Sequence, residues 1–191
     1  MDRREAIKRA AWLMGGIVLT PAMLSSFQGC TPETGPDWQP LLFDDAQRKL
    51  VEQLAETLIP KTDTPGAIEA GVPAFIDKYV AEVHTEDERA QFLEGIKAVN
   101  ERAMQQAGAV FAELEDDARL SFAAALDEEA QHSPMSEELA PAFFRSFKYL
   151  AVTGYCWSEP GATGHLRYAM NPGPYQGCVP FEDVGKTWAM N

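Results

Sequence analysis

The sequence has few of the residue types that build metal and redox centres. It contains only three cysteines and three histidines among 191 residues. No two cysteines form a CxxC pair, and His84, His132 and His165 are scattered along the chain. Because zinc, haem and iron–sulfur sites need several convergent nitrogen or sulfur ligands, the sequence gives no support for such sites.

Positive charge is also scarce. The chain has 16 Lys and Arg against 29 Asp and Glu, which gives a formal net charge of −13. This acidity argues against electrostatic binding to a nucleic-acid backbone or to an anionic membrane surface, so we expect no nucleic-acid partner. Glycine-rich dinucleotide loops and serine nucleophile elbows are absent from the sequence as well.

The sequence lacks an apolar run long enough to span a membrane. Its most apolar N-terminal stretch, AAWLMGGIVLT at 10–20, is about half of the ~20 residues that a spanning helix needs. It follows the basic segment MDRREAIKRA and precedes LSSFQGC, which ends at Cys30. This order predicts an export signal over residues 1–30. The paired Arg3 and Arg4 are similar to a twin-arginine signal, which directs the export of folded proteins.

Cys30 is a candidate for lipidation. Small Gly29 precedes it, and the polar, proline-rich segment TPETGPDWQP at 31–40 is typical of a flexible linker. The alternative is a cysteine inside a leader that is discarded or left uncleaved. In either case, we expect membrane contact only through a lipid anchor or through a complex.

Residues 41–191 show helical periodicity and no alternating runs of β-branched residues. They predict an all-α fold, an irregular bundle of about five helices with an extended C-terminal segment rich in Pro, Gly and aromatic residues. The predicted helices cover 42–59, a segment beginning near Pro73, a segment capped by Thr85 and Glu88, 115–131 and 141–157. A short closing helix is predicted over 181–190.

Helical spacing also predicts the buried side chains. Val83, Met104, Leu120 and Ala124 are expected in the core with the other apolar residues of their helices. In the fifth helix the aromatic cluster of Phe143, Phe144, Phe147 and Tyr149 favours core packing, and the alternative is a groove for a partner.

The segment after the fifth helix is long, irregular and aromatic. Such segments are usually either functional or disordered, and this one is too aromatic for disorder. Trp, Tyr and Arg are favoured at interface hot spots, whereas the alternative is a tail packed on its own helices. The candidate interface residues are Tyr155, Trp157, Glu159, Arg167, Tyr168 and Tyr175.

Cys156 and Cys178 are the cysteines that follow the leader. In an oxidising compartment they can pair with each other, which closes a loop of about 22 residues and contributes about 3 kcal/mol. The alternatives are a bridge from one of them to a partner chain, or a buried free thiol.

Several segments together resemble the gluconate 2-dehydrogenase subunit 3 family. They are DRREAIKRAAWLMGG at the start, LAETLIPKTDTPGAIEAGVPAFID at 54–77, FFRSFKYLAVTGYCWSEPGATGHLRY at 143–168 and PGPYQGCVPFEDVG at 172–185. The resemblance covers nearly the whole chain. Cys156 and His165 depart from the family pattern, and the pairing of Cys156 with Cys178 therefore stays open.

The resemblance implies a non-catalytic small subunit of a membrane-associated periplasmic dehydrogenase. Its partner would be a large FAD-dependent subunit of the glucose–methanol–choline type that oxidises a sugar, sugar acid or alcohol, in some complexes with a cytochrome c subunit. The small subunit would escort that partner through the twin-arginine machinery and stabilise it, with no cofactor, metal or catalytic residue of its own. The alternative is a stand-alone periplasmic ligand-binding or lipoprotein module.

Overall fold

The protein is described by a computed structural model over residues 38–132, 138–171, 173–174 and 177–189. These residues form an all-α bundle, which confirms the predicted fold class. Its long helices are α1 (Asp45–Leu58), α2 (Val72–Glu82), α3 (Glu86–Ala107), α4 (Asp116–His132) and α5 (Leu139–Trp157). A 3-10 turn (Phe111–Glu113), a π-helical turn (Gly161–His165) and the one-turn α6 (Phe181–Val184) complete it.

Two helices begin at capping boxes. Thr85 and Glu88 cap α3 as predicted, and Asp44 with Gln47 caps α1. The sequence predicts Asp44 or Asp45 as the cap of α1, and Asp44 is the cap. The predicted start at 42 was wrong, because the preceding backbone has another partner. The N–H groups of residues 41–43 donate to the buried carboxylate of Asp77 over 2.6, 3.1 and 3.1 Å. These residues therefore remain outside the helix.

Helix α5 is the centre of the bundle and packs against α1, α2, α3 and α4. Phe144 and Phe147 are fully buried and Phe143 is 5% exposed. Core packing is therefore confirmed for three rings of the aromatic cluster. Tyr149 differs, since it is 71% exposed.

Four apolar residues predicted in the core, Val83, Met104, Leu120 and Ala124, lie in solvent instead. Val83, Met104 and Leu120 are 60%, 48% and 59% exposed. Val83 is the residue at which α2 ends, and Met104 lies in the last turn of α3, where neither side chain meets another helix. The buried face of α4 consists of Phe122, Ala123, Leu126 and Ala130. Leu120 and Ala124 therefore lie on its solvent-exposed side.

The closing helix is shorter than predicted. It covers Phe181–Val184 rather than 181–190. Gly185 follows with a φ of 77°, a left-handed conformation that ends a helix.

Ion pairs connect α4 to its neighbours. Arg102 of α3 forms a two-pronged pair with Glu129, and Lys148 of α5 contacts Asp127 at 2.7 Å. The hydrogen bond from Arg102 lowers the pKa of Glu129 below its usual value. This contribution to stability is present above the unfolded-state pKa of Glu129 and is lost as the pH falls through its folded-state pKa.

Within the described ranges, no helix combines the length and apolar character needed to cross a membrane.

Candidate partner-binding site

One side of α5 remains uncovered by the bundle. Arg145, Tyr149, Val152 and Cys156 recur at steps of four, three and four residues, so they share one face of the helix. We call these four residues the outer face of α5. Tyr149 and Val152 are 71% and 47% exposed, and Cys156 is half-buried. An isolated bundle therefore exposes apolar side chains on its central helix, which is a property of interaction surfaces.

Beside this face lies a groove of about 600 Å³ between α5 and the junction of α2 with α3. We call it the His84 groove. Tyr79 and His84 line it at the junction, and Arg145 and Tyr149 line it on the α5 side.

Buried aromatic rings form the base of the groove. Phe92 of α3 and Phe143 of α5 both line it, and their centroids are 4.9 Å apart in an edge-to-face contact. The two helices approach closely at Gly95, where an added Cβ would lie 2.5 Å from the Phe143 Cβ. Because the two helices are so closely packed, Phe92 and Phe143 have little room to move at the base of the groove.

The His84 ring is held by aromatic contacts. Its centroid lies 5.5 Å from that of Tyr79 and 6.0 Å from that of Phe92, both edge-on. Its Nδ1 is enclosed and has no hydrogen-bond partner among the residues that the structure describes. Consequently no hydrogen bond at Nδ1 selects the tautomer of the ring.

The α3 side of the groove is acidic. Glu82, Glu86, Asp87 and Glu88 are all exposed, and Glu88 lines the groove directly. Hydrogen bonds from the backbone and hydroxyl of Thr85 lower the pKa of Glu88, so its carboxylate is ionised at neutral pH.

Trp157 and Tyr168 are two of the predicted interface residues that the structure leaves exposed. Trp157 is 59% exposed at the end of α5, with its ring edge-on to Phe75 of α2 at 6.1 Å. Tyr168 is 47% exposed beyond the π-helical turn, and Glu159 between them is also exposed. These side chains extend the uncovered surface beyond the end of α5.

Arg167 serves mainly to join the C-terminal segment to itself. Its guanidinium lies 4.4 Å from the centroid of the Trp188 ring, and its Nη1 donates to the Val184 carbonyl at 2.9 Å. Its backbone N–H donates to Thr187 at 2.8 Å. The C-terminal segment therefore packs on itself at this point, and Arg167, although exposed, is already engaged within it.

Tyr155 belongs to the core of this chain. It is 5% exposed, and its hydroxyl donates to the Pro65 carbonyl at 2.8 Å. Its ring also contacts His165 edge-on at 6.0 Å. Tyr155 thus attaches α5 to the turn after α1, and we leave it out of the surface offered to a partner.

Cys156 and Cys178 are free thiols in the structure, the first half-buried and the second exposed. Their pairing with each other or with a partner stays a prediction. Arg3, Arg4, Cys30 and Tyr175 lie outside the described residues, as do the predicted leader and most of the 31–40 linker.

The end of α5 depends on a glycine at 161. An added Cβ there would lie 1.9 Å from the backbone oxygen of Tyr155, which cannot move without disturbing the helix. We therefore expect Gly161→Ala to lower the free energy of unfolding by about 1–3 kcal/mol. Gly164→Ala is the matched control, because its Cβ would meet nothing closer than the Pro65 Cδ at 3.7 Å. Thermal unfolding followed by circular dichroism compares the two, and equal midpoints would contradict this account.

The sequence reasoning identified the C-terminal aromatic residues but not the groove. The position of His84 at a helix end is typical of a solvated histidine, and only its aromatic neighbours on α2 and α3 reveal its environment. Its place just before the α3 capping box was the available signal. Across the described part of the chain, no three His, Cys, Asp or Glu side chains converge in an arrangement that could hold a metal ion.

A scan against protein-family models matches residues 45–173 to gluconate 2-dehydrogenase subunit 3. Searches of curated proteins and of solved structures returned no match. The matched range begins with α1 and runs through α5 and the π-helical turn, so it contains both the His84 groove and the outer face of α5. Since this match spans most of the sequence, the chain belongs to the gluconate 2-dehydrogenase subunit 3 family.

Proposed function

We propose that this chain is the non-catalytic small subunit of a periplasmic, membrane-associated dehydrogenase, and that it exports and stabilises the FAD-dependent catalytic subunit. The family match carries the proposal, because its description names a subunit of gluconate 2-dehydrogenase. The catalytic partner would be of the glucose–methanol–choline type and would oxidise a sugar, a sugar acid or an alcohol. FAD would be bound by that partner, and a cytochrome c subunit would accept its electrons in complexes that contain one.

The exposed surface of the bundle supports this role. Tyr149, Val152 and Trp157 leave large apolar areas in solvent on the same helix that forms the core. A subunit that stabilises another chain needs such a surface, because burying it removes apolar area from water in both partners. Anchoring the surface on the central helix also makes it rigid, which reduces the entropy lost on binding.

The leader supports the export role. FAD must be inserted in the cytoplasm before the catalytic subunit is exported, and the twin-arginine route carries folded proteins. One leader on this chain can then serve both subunits. The lipid anchor at Cys30, if attached, would hold the complex at the membrane.

We expect Arg3→Lys with Arg4→Lys to reduce periplasmic dehydrogenase activity by at least about tenfold, because Lys does not reproduce the planar guanidinium of Arg. The measurement is substrate-dependent dye reduction in periplasmic and cytoplasmic fractions of cells producing both subunits. Arg9→Lys is the matched control, since it changes a leader arginine outside the pair. Wild-type periplasmic activity in the double variant would refute the escort role.

A further inference from the structure

We propose that the His84 groove binds an extended segment of the catalytic partner subunit that carries a large apolar side chain beside a Lys or Arg. This inference rests on the proposed function and adds to it a specific point of attachment. The groove would act together with the outer face of α5, which it adjoins at Arg145 and Tyr149.

The shape and lining of the groove select an apolar anchor. Its volume of about 600 Å³ lies within the range of roughly 300–1,000 Å³ typical of ligand sites. Phe92 and Phe143 form a buried base, while Leu139 and Tyr149 stand at its edge 45% and 71% exposed. An aromatic or long aliphatic side chain inserted here would contact the buried base and remove exposed area of Leu139 and Tyr149 from water.

The His84 ring favours a peptide over a purely apolar occupant. No hydrogen bond at the enclosed Nδ1 fixes the tautomer, so the other ring nitrogen, Nε2, can act as donor or acceptor toward an incoming group. An extended peptide backbone offers both N–H and C=O groups along its length. It can therefore form a hydrogen bond with Nε2 in either tautomer while its side chain enters the groove.

The charges around the groove indicate that the bound segment carries a positively charged residue beside its apolar side chain. Glu88 lines the groove, and Glu82, Glu86 and Asp87 are exposed within six positions of it, at the end of α2 and the start of α3. We call these four residues the acidic lip, and Arg145 lies opposite Glu88 in the lining, on the α5 wall. A Lys or Arg of the bound segment would pair with the lip and fix the direction in which the segment runs. A second copy of this chain fits poorly, because an isologous contact would place two acidic lips together on chains of formal net charge −13.

The test measures the dissociation constant of the complex formed with the co-produced FAD-dependent catalytic subunit. Ala142→Trp fills the groove from its α5 wall, and we expect it to weaken binding by at least about tenfold. Tyr149→Ala is a second variant at an exposed position, and we expect it to weaken binding by about threefold to tenfold without affecting the fold. Each variant is first checked for a wild-type thermal midpoint.

The contribution of the acidic lip is tested with two matched charge-reversal variants. Asp87→Lys alters the lip, and Asp117→Lys alters the equivalent second residue of α4, also exposed in an acidic first turn. We expect Asp87→Lys alone to weaken binding and to reduce its dependence on salt. Wild-type affinity in both Tyr149→Ala and Asp87→Lys would overturn the groove assignment while the proposed function stands. Failure of the wild-type chain to bind the catalytic subunit at all would overturn the proposed function, and the groove assignment with it.

Discussion

Replacing Phe147 by alanine is expected to lower the free energy of unfolding by about 3–5 kcal/mol, whereas Tyr149→Ala should change it by no more than about 0.5 kcal/mol. The two aromatic residues lie two positions apart on α5. Phe147 is fully buried at the centre of the bundle and contacts Phe143 at a centroid distance of 5.6 Å. Truncating Phe147 leaves a cavity that the surrounding side chains cannot fill. Truncating Tyr149 leaves a space that is already open to water.

Equilibrium unfolding in urea measures both changes. For a chain of this size, the Phe147→Ala loss corresponds to a fall of roughly 6–20 °C in the thermal midpoint. Tyr149→Ala should keep the wild-type midpoint and lose affinity for the partner. If the two variants lost equal stability, the assignment of one residue to the core and the other to a docking surface would be wrong.

Removing the carboxylate of Asp77 is the second change with a large expected effect. Asp77 is 1% exposed and accepts hydrogen bonds from the backbone N–H groups of Leu41, Leu42 and Phe43. Without it, the N–H of Phe43 becomes a buried donor lacking a partner, which costs about 1–3 kcal/mol on its own. We expect Asp77→Ala to destabilise the protein by about 2–4 kcal/mol in total, since hydrogen bonds to charged groups are stronger than neutral ones.

Asp77→Asn provides a graded comparison, because it preserves the side-chain volume and one acceptor oxygen. Its loss of stability should lie between those of wild type and Asp77→Ala. Asp63→Asn, in an exposed turn, is the control and should have no effect. Hydrogen exchange at residues 41–43 gives a local readout, and slow exchange persisting in Asp77→Ala would contradict the anchoring role.

Much of the fold was predictable because its signals are local. Thr85 and Glu88 specify a capping box whatever surrounds them, and Pro73 and the spacing of Phe143, Phe144 and Phe147 are equally short-range. The wrong predictions concern positions whose burial depends on how whole helices pack. Val83 matches the apolar periodicity of α2, but no helix covers the position at which α2 ends.

For the candidate site as well, some features follow from the local sequence and others depend on tertiary packing. Trp157 and Tyr168 were selected by residue type, since Trp and Tyr are favoured at interface hot spots, and both are exposed; their role in an interface stays a prediction. Tyr155 has similar chemistry and lies two positions before Trp157, yet it faces Pro65 and is buried. Residues two positions apart on a helix point about 200° apart, so the position of the neighbouring elements decides which of them meets solvent.

The sequence alone determined that this chain is an all-α member of the gluconate 2-dehydrogenase subunit 3 family, because helix periodicity, caps and family motifs are written in short stretches of residues. Only the tertiary structure determined which parts of its surface form a groove or remain uncovered by neighbouring helices. The His84 groove arises because α2, α3 and α5 meet there, and its residues are separated by more than fifty positions between His84 and Tyr149. Contacts between residues so distant depend on how whole helices pack, a property that no local pattern of residues contains.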